Sequence, residues 1–184
     1  MQVAVLLAQG FEETEAIGVV DVLRRAGVTA PLVAVEPGAA WVTSTRGVCV
    51  KVDAQLADLA PGGLAAVVLP GGLPGANHLA ASPAVLTLLK QVRANGGILA
   101  ALCAAPLALQ AAGLLRGRKM TAFPAQRDQF PGAVYTGGRV VFDDGILTGL
   151  AAGATFEFAL ELLRRLNLAE HAAKLHAGMC LPGD

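Results

Sequence analysis

Read as apolar and polar positions alone, the chain alternates short unbroken apolar runs with longer stretches of helical period. The runs are VAVLLA (3–8), PLVAVE (31–36), AAVVLP (65–70) and GILAALC (97–103), and helical patterns fall near 14–26, 83–94 and 104–112. This alternation predicts a parallel sheet with helices on both faces. VAVLLA, AAVVLP and ILAAL have no polar face, which places them in the sheet interior. Two segments depart from the rule. WVTSTRGVCVKV (41–52) and RVVFDDGILTGL (139–150) read as antiparallel excursions, the second turning at Asp-Gly. Ser82 and Pro83 open a helix that Asn95-Gly96-Gly97 closes. The stretch ATFEFALELLRRLNLAEHAAKLHAG predicts a long amphipathic helix and a shorter one, broken near Asn167.

With 184 residues, 54% hydrophobic and 15% charged, the chain suits one well-covered core, and a single domain over 1–184 is expected. Its formal net charge is zero and no Lys/Arg cluster exceeds a pair, which argues against nucleic acid as a main partner. MQVAVLLAQGFEE lacks a basic leader region, and no apolar run is long enough to span a bilayer, so a soluble cytoplasmic protein is expected, with no membrane partner. The three cysteines, at 49, 103 and 180, show no CxxC spacing. Neither a disulfide framework nor a metal site is indicated.

In an open parallel sheet the ligand crevice lies beyond the carboxyl ends of the strands, and three such tips carry special chemistry. At the first, QGFEETEA, helical spacing sets Glu15 in line with Val19, Val22 and Ala26 on the apolar side. Two readings fit Glu15: a buried, partnered carboxyl, or a first-turn acid that favours the helix dipole or faces solvent like Glu12 and Glu13. At the second, PGGLPGA (70–76) offers a backbone N–H nest for an oxyanion or serves as a plain loop; it has no Walker lysine and no GxGxxG spacing. At the third, Cys103 ends a strand and Ala104-Ala105-Pro106 starts a helix, so the helix end should favour thiolate, as in a nucleophile elbow. The alternative is a buried inert cysteine. His78, His171 and His176 fall on predicted helices away from these tips, and no Cys–His pair is visible. Cys49 and Cys180 read as structural, with exposure and oxidation the alternative for Cys180 near the tail.

Taken together, EETEA, LPGG and a strand-ending ALCAAP, within a match from VAVLLAQGFEETEAIGVVDVLRRAGV to TFEFALELL, resemble the DJ/ThiJ/PfpI superfamily. The resemblance is to the branch of the parkinsonism-associated deglycase and its bacterial relatives. It implies a flavodoxin-like three-layer α/β sandwich, similar to class I glutamine amidotransferase domains, that forms a homodimer and needs no cofactor. By position, Cys103 would be the reactive thiol in a strained backbone conformation. Glu15 would be a protonated acid that hydrogen-bonds the sulfur, which makes its burial tolerable.

The family pattern also implies an oxyanion or sulfinate site from the backbone N–H groups of Gly71, Gly72 and Ala104. Arg25 and Arg46 match arginines that approach the site near the dimer interface, and Asp21 lies one helical turn before Arg25, a spacing suited to an ion pair. Leu73 and Phe123 would flank the site. Phe123 stands where some members carry a histidine. Ala104 stands where the peptidase branch has one, which counts against a protease. Ala151-Ala152-Gly153 replaces a Gly-Pro-Gly.

The resemblance implies a stress-response protein, first as a cofactor-free glyoxalase or deglycase-type hydrolase acting on reactive carbonyls such as methylglyoxal or their adducts. A non-enzymatic peroxide sensor or redox-regulated chaperone working through Cys103 is the alternative. An amidase or cysteine peptidase is the weakest.

Overall fold

The computed structural model describes residues 1–182. Its strands are β1 (Gln2–Leu7), β2 (Leu32–Ala34), β3 (Trp41–Thr43), β4 (Cys49–Lys51), β5 (Ala54–Gln55), β6 (Leu64–Leu69), β7 (Ile98–Leu102), β8 (Lys119–Met120), β9 (Val134–Tyr135), β10 (Val140–Asp143) and β11 (Ile146–Gly149). The helices are α1 (Glu13–Arg25), α2 (Gly75–Ala81), α3 (Pro83–Ala94), α4 (Pro106–Ala111), α5 (Thr155–Arg165) and α6 (Ala169–Gly178).

Seven strands form the central sheet in the order β10-β11-β7-β6-β1-β2-β5, parallel except for the β10–β11 hairpin. The three runs without a polar face occupy its middle as β1, β6 and β7, and each is buried almost throughout. Side chains alternate across the sheet into two cores. On one face Val3, Val5, Val68 and Leu102 pack with Val19, Val22 and Leu23 of α1 and Phe158 and Leu162 of α5. On the other, Leu6, Val67, Leu69 and Leu99 pack with Leu79 of α2, Leu89 of α3 and Leu109 of α4. Helix, sheet and helix make the three layers of the α/β sandwich.

Both antiparallel excursions are present. The β3–β4 hairpin stands apart from the main sheet and is fastened to the first strand tip by Gly10 N–H to Thr43 O and Thr45 N–H to Phe11 O, at 2.8 Å each. The second excursion turns at Asp144-Gly145, with φ of 42° and 73°, and its β11 strand joins the sheet beside β7. Asn167, at φ 63°, separates α5 from α6.

Other expectations shift. The run 97–103 ends as a strand at Leu102, and the helix begins at Pro106 rather than at 104. Residues 103–105 make a tight turn in between, closed by Ala105 N–H to Leu102 O at 2.8 Å. Helix α2 around His78 starts earlier than expected, because two prolines and three glycines at 70–75 read as loop; the helix starts at the last of those glycines. Strands β5, β8 and β9 are two residues each, too short to leave a periodic signal.

Leu99 is fully buried in the α2–α3–α4 core. Leu99→Ala should lower the free energy of unfolding by about 2–5 kcal/mol, read as a lower urea midpoint with an unchanged slope.

Candidate active site

Three strand tips converge, those of β1, β6 and β7. Cys103 follows β7 directly and holds φ 55°, a left-handed conformation that costs a non-glycine residue about 1–3 kcal/mol. Its neighbours pin it there. Cys103 N–H donates to Gly149 O at the end of β11, and Cys103 O accepts from Phe123 N–H, both at 2.9 Å. The residue is half-buried, while Ala104 and Ala105 beside it are buried.

Glu15 arrives from α1. Glu12 caps that helix by accepting the Glu15 N–H at 2.7 Å, which fixes the first turn and directs the Glu15 side chain inward. The side chain is fully buried, on the face shared with Val19 and Val22. Glu12 and Glu13 are half-buried rather than turned to solvent, and Glu13 Oε2 is buried without a partner.

One carboxyl oxygen of Glu15, Oε2, accepts the Gly71 N–H at 2.6 Å; the other, Oε1, is buried with no well-formed hydrogen bond. Burial pushes the Glu15 carboxyl up to about 7, against the pull of the Gly71 N–H and with a small push from Glu12. A carboxyl that spends its carbonyl-type oxygen on Gly71 carries its proton on Oε1. The Cys103 thiol is close enough for the two groups to shift each other's titration.

The helix end does not by itself make a thiolate. Burial first, then the charge of an ionised Glu15 and a hydrogen bond to it, push the Cys103 thiol up to about 12; the N–H groups of Ala104 and Gly72 act in the opposite direction and lose. Helix α4 is six residues long and starts three residues beyond the sulfur, so its dipole is weak at Cys103. Two of the three opposing causes vanish once Glu15 holds a proton. The two groups therefore titrate as a coupled pair, the carboxyl raised and the thiol raised further.

Gly71 donates to Glu15, not to the sulfur, so the expected three-donor nest is divided. The N–H groups of Gly72 and Ala104 are the ones that pull the Cys103 thiol toward ionisation. Gly71 must be glycine: a Cβ there would lie 2.8 Å from Cys103 Cβ, 2.8 Å from Glu15 Oε2 and 2.9 Å from Ala104 N. Gly72, at φ 85°, is pressed onto the first tip in the same way, 2.5 Å from Glu12 N for a built Cβ.

The flanking residues divide. Leu73 and Phe123 are exposed on the segments adjoining the elbow. Asp21 and Arg25 form their ion pair at 2.8 Å, but on exposed turns of α1 roughly 9–15 Å along the helix axis from Glu15 at ~1.5 Å per residue. Within one chain they do not reach the thiol. Arg46 is exposed on the β3–β4 turn, one residue beyond the Thr45–Phe11 contact.

His78 is nearer the tips than its helical pattern suggests, its Nδ1 lying 3.0 Å from Gln9 O, because α2 begins so soon after the glycine loop. His176 bonds Pro182 O at 3.0 Å, and His171 lies on α6. Cys49 and Cys180 are exposed, so neither packs a core. Among the described residues no cluster of three or more His, Cys, Asp or Glu could hold a metal.

A sandwich with a thiol elbow, a buried acid and a glycine loop at converging strand tips defines a class of proteins. The chain belongs to the DJ-1/PfpI family, whose model matches residues 1–165. It is 40% identical over 181 residues to the Parkinson disease protein 7 homolog of Danio rerio, covering 96% of this chain and 95% of that protein. It is 32% identical over 174 residues to the glutathione-independent glyoxalase DJR-1.2 of Caenorhabditis elegans, covering 92% and 90%. Among solved structures, oxidized Toxoplasma gondii DJ-1 superposes with a TM-score of 0.92 at 38% identity, covering 97% of both chains.

Two outcomes follow from the site. Glu15 keeps its proton in the folded chain up to about pH 7 but loses it near 4.5 when unfolded. Between those values the folded state binds more protons, so stability should fall as pH rises from 4.5 to 7, by on the order of 3 kcal/mol. Glu15→Gln should flatten that slope in urea melts run across the same range. Gly71→Ala should displace the elbow, costing about 1–3 kcal/mol of stability and slowing Cys103 alkylation at neutral pH at least tenfold.

Proposed function

We propose that this chain is a cofactor-free, single-domain cysteine enzyme of the cytoplasm that converts reactive 2-oxoaldehydes such as methylglyoxal to hydroxy acids. The observation that carries the proposal is the coupling of one thiol to one buried, proton-bearing carboxyl. When the one proton of the pair sits on Glu15 rather than on the sulfur, the site presents a thiolate and an acid at once.

In the first step the Cys103 sulfur bonds to the aldehyde carbon, and the carbonyl oxygen, held by the Gly72 and Ala104 N–H groups, takes the Glu15 proton. The Glu15 carboxylate then removes the hydrogen from that carbon and returns it to the neighbouring carbon, while the hydroxyl proton of the adduct passes to the ketone oxygen. The aldehyde carbon is thereby oxidised and the ketone carbon reduced, leaving a thioester of lactate. Water cleaves the thioester and restores the thiol. The redox change is internal to the substrate, so no external electron carrier is required. Removal of carbonyl adducts from thiols and amines would use the same attack. The free state of all three cysteines agrees with a reducing compartment, and no helix among the described residues is long and apolar enough to cross a membrane.

A homodimer completes the proposal. Ile17 and Phe156 on the packed helices α1 and α5, and Trp41 and Val48 on the hairpin, are large apolar side chains left exposed in the single chain. A second copy covering them is the route by which Arg25, Asp21 and Arg46 would come near a thiol.

A second reading, a peroxide sensor that holds an oxidised Cys103 and guards other proteins as a chaperone, is favoured by one observation. A structurally similar relative is described in an oxidized state. The orphaned Glu15 Oε1 would donate to a sulfinate as readily as to a substrate oxygen.

Pure protein given methylglyoxal should release lactate, with Cys103→Ser at background and Glu15→Gln reduced at least a hundredfold in kcat/KM. Equal background lactate in all three would end the enzymatic reading. Graded peroxide followed by peptide mass spectrometry should place sulfinate on Cys103 before the exposed Cys49 and Cys180; the reverse order would remove the sensor reading.

A further inference from the structure

We infer that the mouth of the elbow selects neutral carbonyl electrophiles bearing an apolar substituent, aryl or branched alkyl, over the bare two-carbon dialdehyde, and that Leu73 and Phe123 make the selection. The inference deepens the carbonyl reading above and rests on it for the identity of the substrate.

Leu73 and Phe123 are 52% and 43% exposed. Single exposed apolar side chains are ordinary on a protein surface. These two are unusual in where they are tied. Phe123 is bound to Cys103 itself, its N–H on the Cys103 carbonyl at 2.9 Å. Leu73 follows Gly72, one of the two N–H donors that act on the sulfur.

Neither segment can readily withdraw. Built Cβ atoms on Gly72 and Gly75, on either side of Leu73-Pro74, would lie 2.5 Å and 2.7 Å from backbone atoms of residues 10–12, so the loop is seated hard on the first tip. Phe123 opens the 3-10 turn Pro124–Gln129, and Gln126 N–H returns to Phe123 O at 2.9 Å.

The chemistry fixes which part of a substrate meets them. Once sulfur bonds the aldehyde carbon and its oxygen turns to Gly72 and Ala104, the substituent on the second carbon points away from those donors. On this inference it leaves the elbow between the two segments tied to it, whose exposed apolar side chains are Leu73 and Phe123. Covering that surface is favourable for an apolar group and gives nothing to a hydrogen atom. A phenyl substituent gains further from offset contact with the Phe123 ring.

The test compares phenylglyoxal with glyoxal in wild type, Leu73→Ala, Phe123→Ala and the double variant. The ratio of kcat/KM values should favour phenylglyoxal in wild type and fall about tenfold in the double variant, mainly through KM. A second measurement needs no turnover: alkylation of Cys103 by N-benzyl iodoacetamide against iodoacetamide, quantified on the Cys103 peptide. The benzyl preference should fall in parallel. Loss of the labelling preference without turnover of either dicarbonyl would sink the catalytic reading and leave the apolar mouth standing. Turnover with ratios unchanged between wild type and the double variant would overturn the inference.

Discussion

A carboxyl and a thiol buried together cannot both ionise without the uncompensated cost of two like charges in a poorly solvated space. The site is organised by that constraint. Glu15 is fully buried, Cys103 half-buried, and one hydrogen bond, from Gly71 N–H, serves the carboxyl. Burial and mutual charge raise both groups, the carboxyl to about 7 and the thiol to about 12, so above pH 7 one proton is left for the two to share. With that shared proton on Glu15, the proposed reaction has its nucleophile and its acid without a histidine.

The fold's task is to bring the two groups into contact and keep solvent from separating them. The β1, β6 and β7 strands end side by side, so α1, the glycine loop and the elbow meet without long connections. Close approach then depends on missing Cβ atoms: Gly71 lies against Cys103, Glu15 and Ala104, and Gly72 and Gly75 against the first tip. The strained φ of Cys103 is held by main-chain hydrogen bonds to Gly149 and Phe123 rather than by anything the thiol does. The geometry of the elbow is thus a property of the backbone.

Much of this was legible in the sequence. Unbroken apolar runs marked the central strands, Ser82-Pro83 and Asn95-Gly96 marked the ends of α3, and Asp144-Gly145 marked a hairpin. The phase of Glu15 on α1, shared with Val19 and Val22, allowed an inward carboxyl and left a solvent-facing first-turn acid equally open. What was not legible depends on direction and distance. No pattern tells that the Gly71 N–H turns to Glu15 while its neighbour Gly72 serves the sulfur. The start of helix α2 was hidden by the prolines and glycines that precede it, and with it the approach of His78 to Gln9. The thiol's resistance to ionising was missed because the local signal, a helix end, is outweighed by burial, which only the folded chain reveals. Asp21 and Arg25 made the pair their spacing promised, yet far down the helix from Glu15, since four-residue spacing fixes a partner and not a place.

The shared proton is the central claim, and it is tested most directly by titrating both partners in one sample. Cys103 alkylation, read on its own peptide, is followed with pH alongside the carboxyl carbon resonance of Glu15, in wild type and Glu15→Gln. A common inflection near pH 7 in wild type, lost from the alkylation profile of Glu15→Gln, is the predicted result. Independent titrations, with Glu15 at its ordinary 4.5 and Cys103 at its ordinary 9.0, would contradict it.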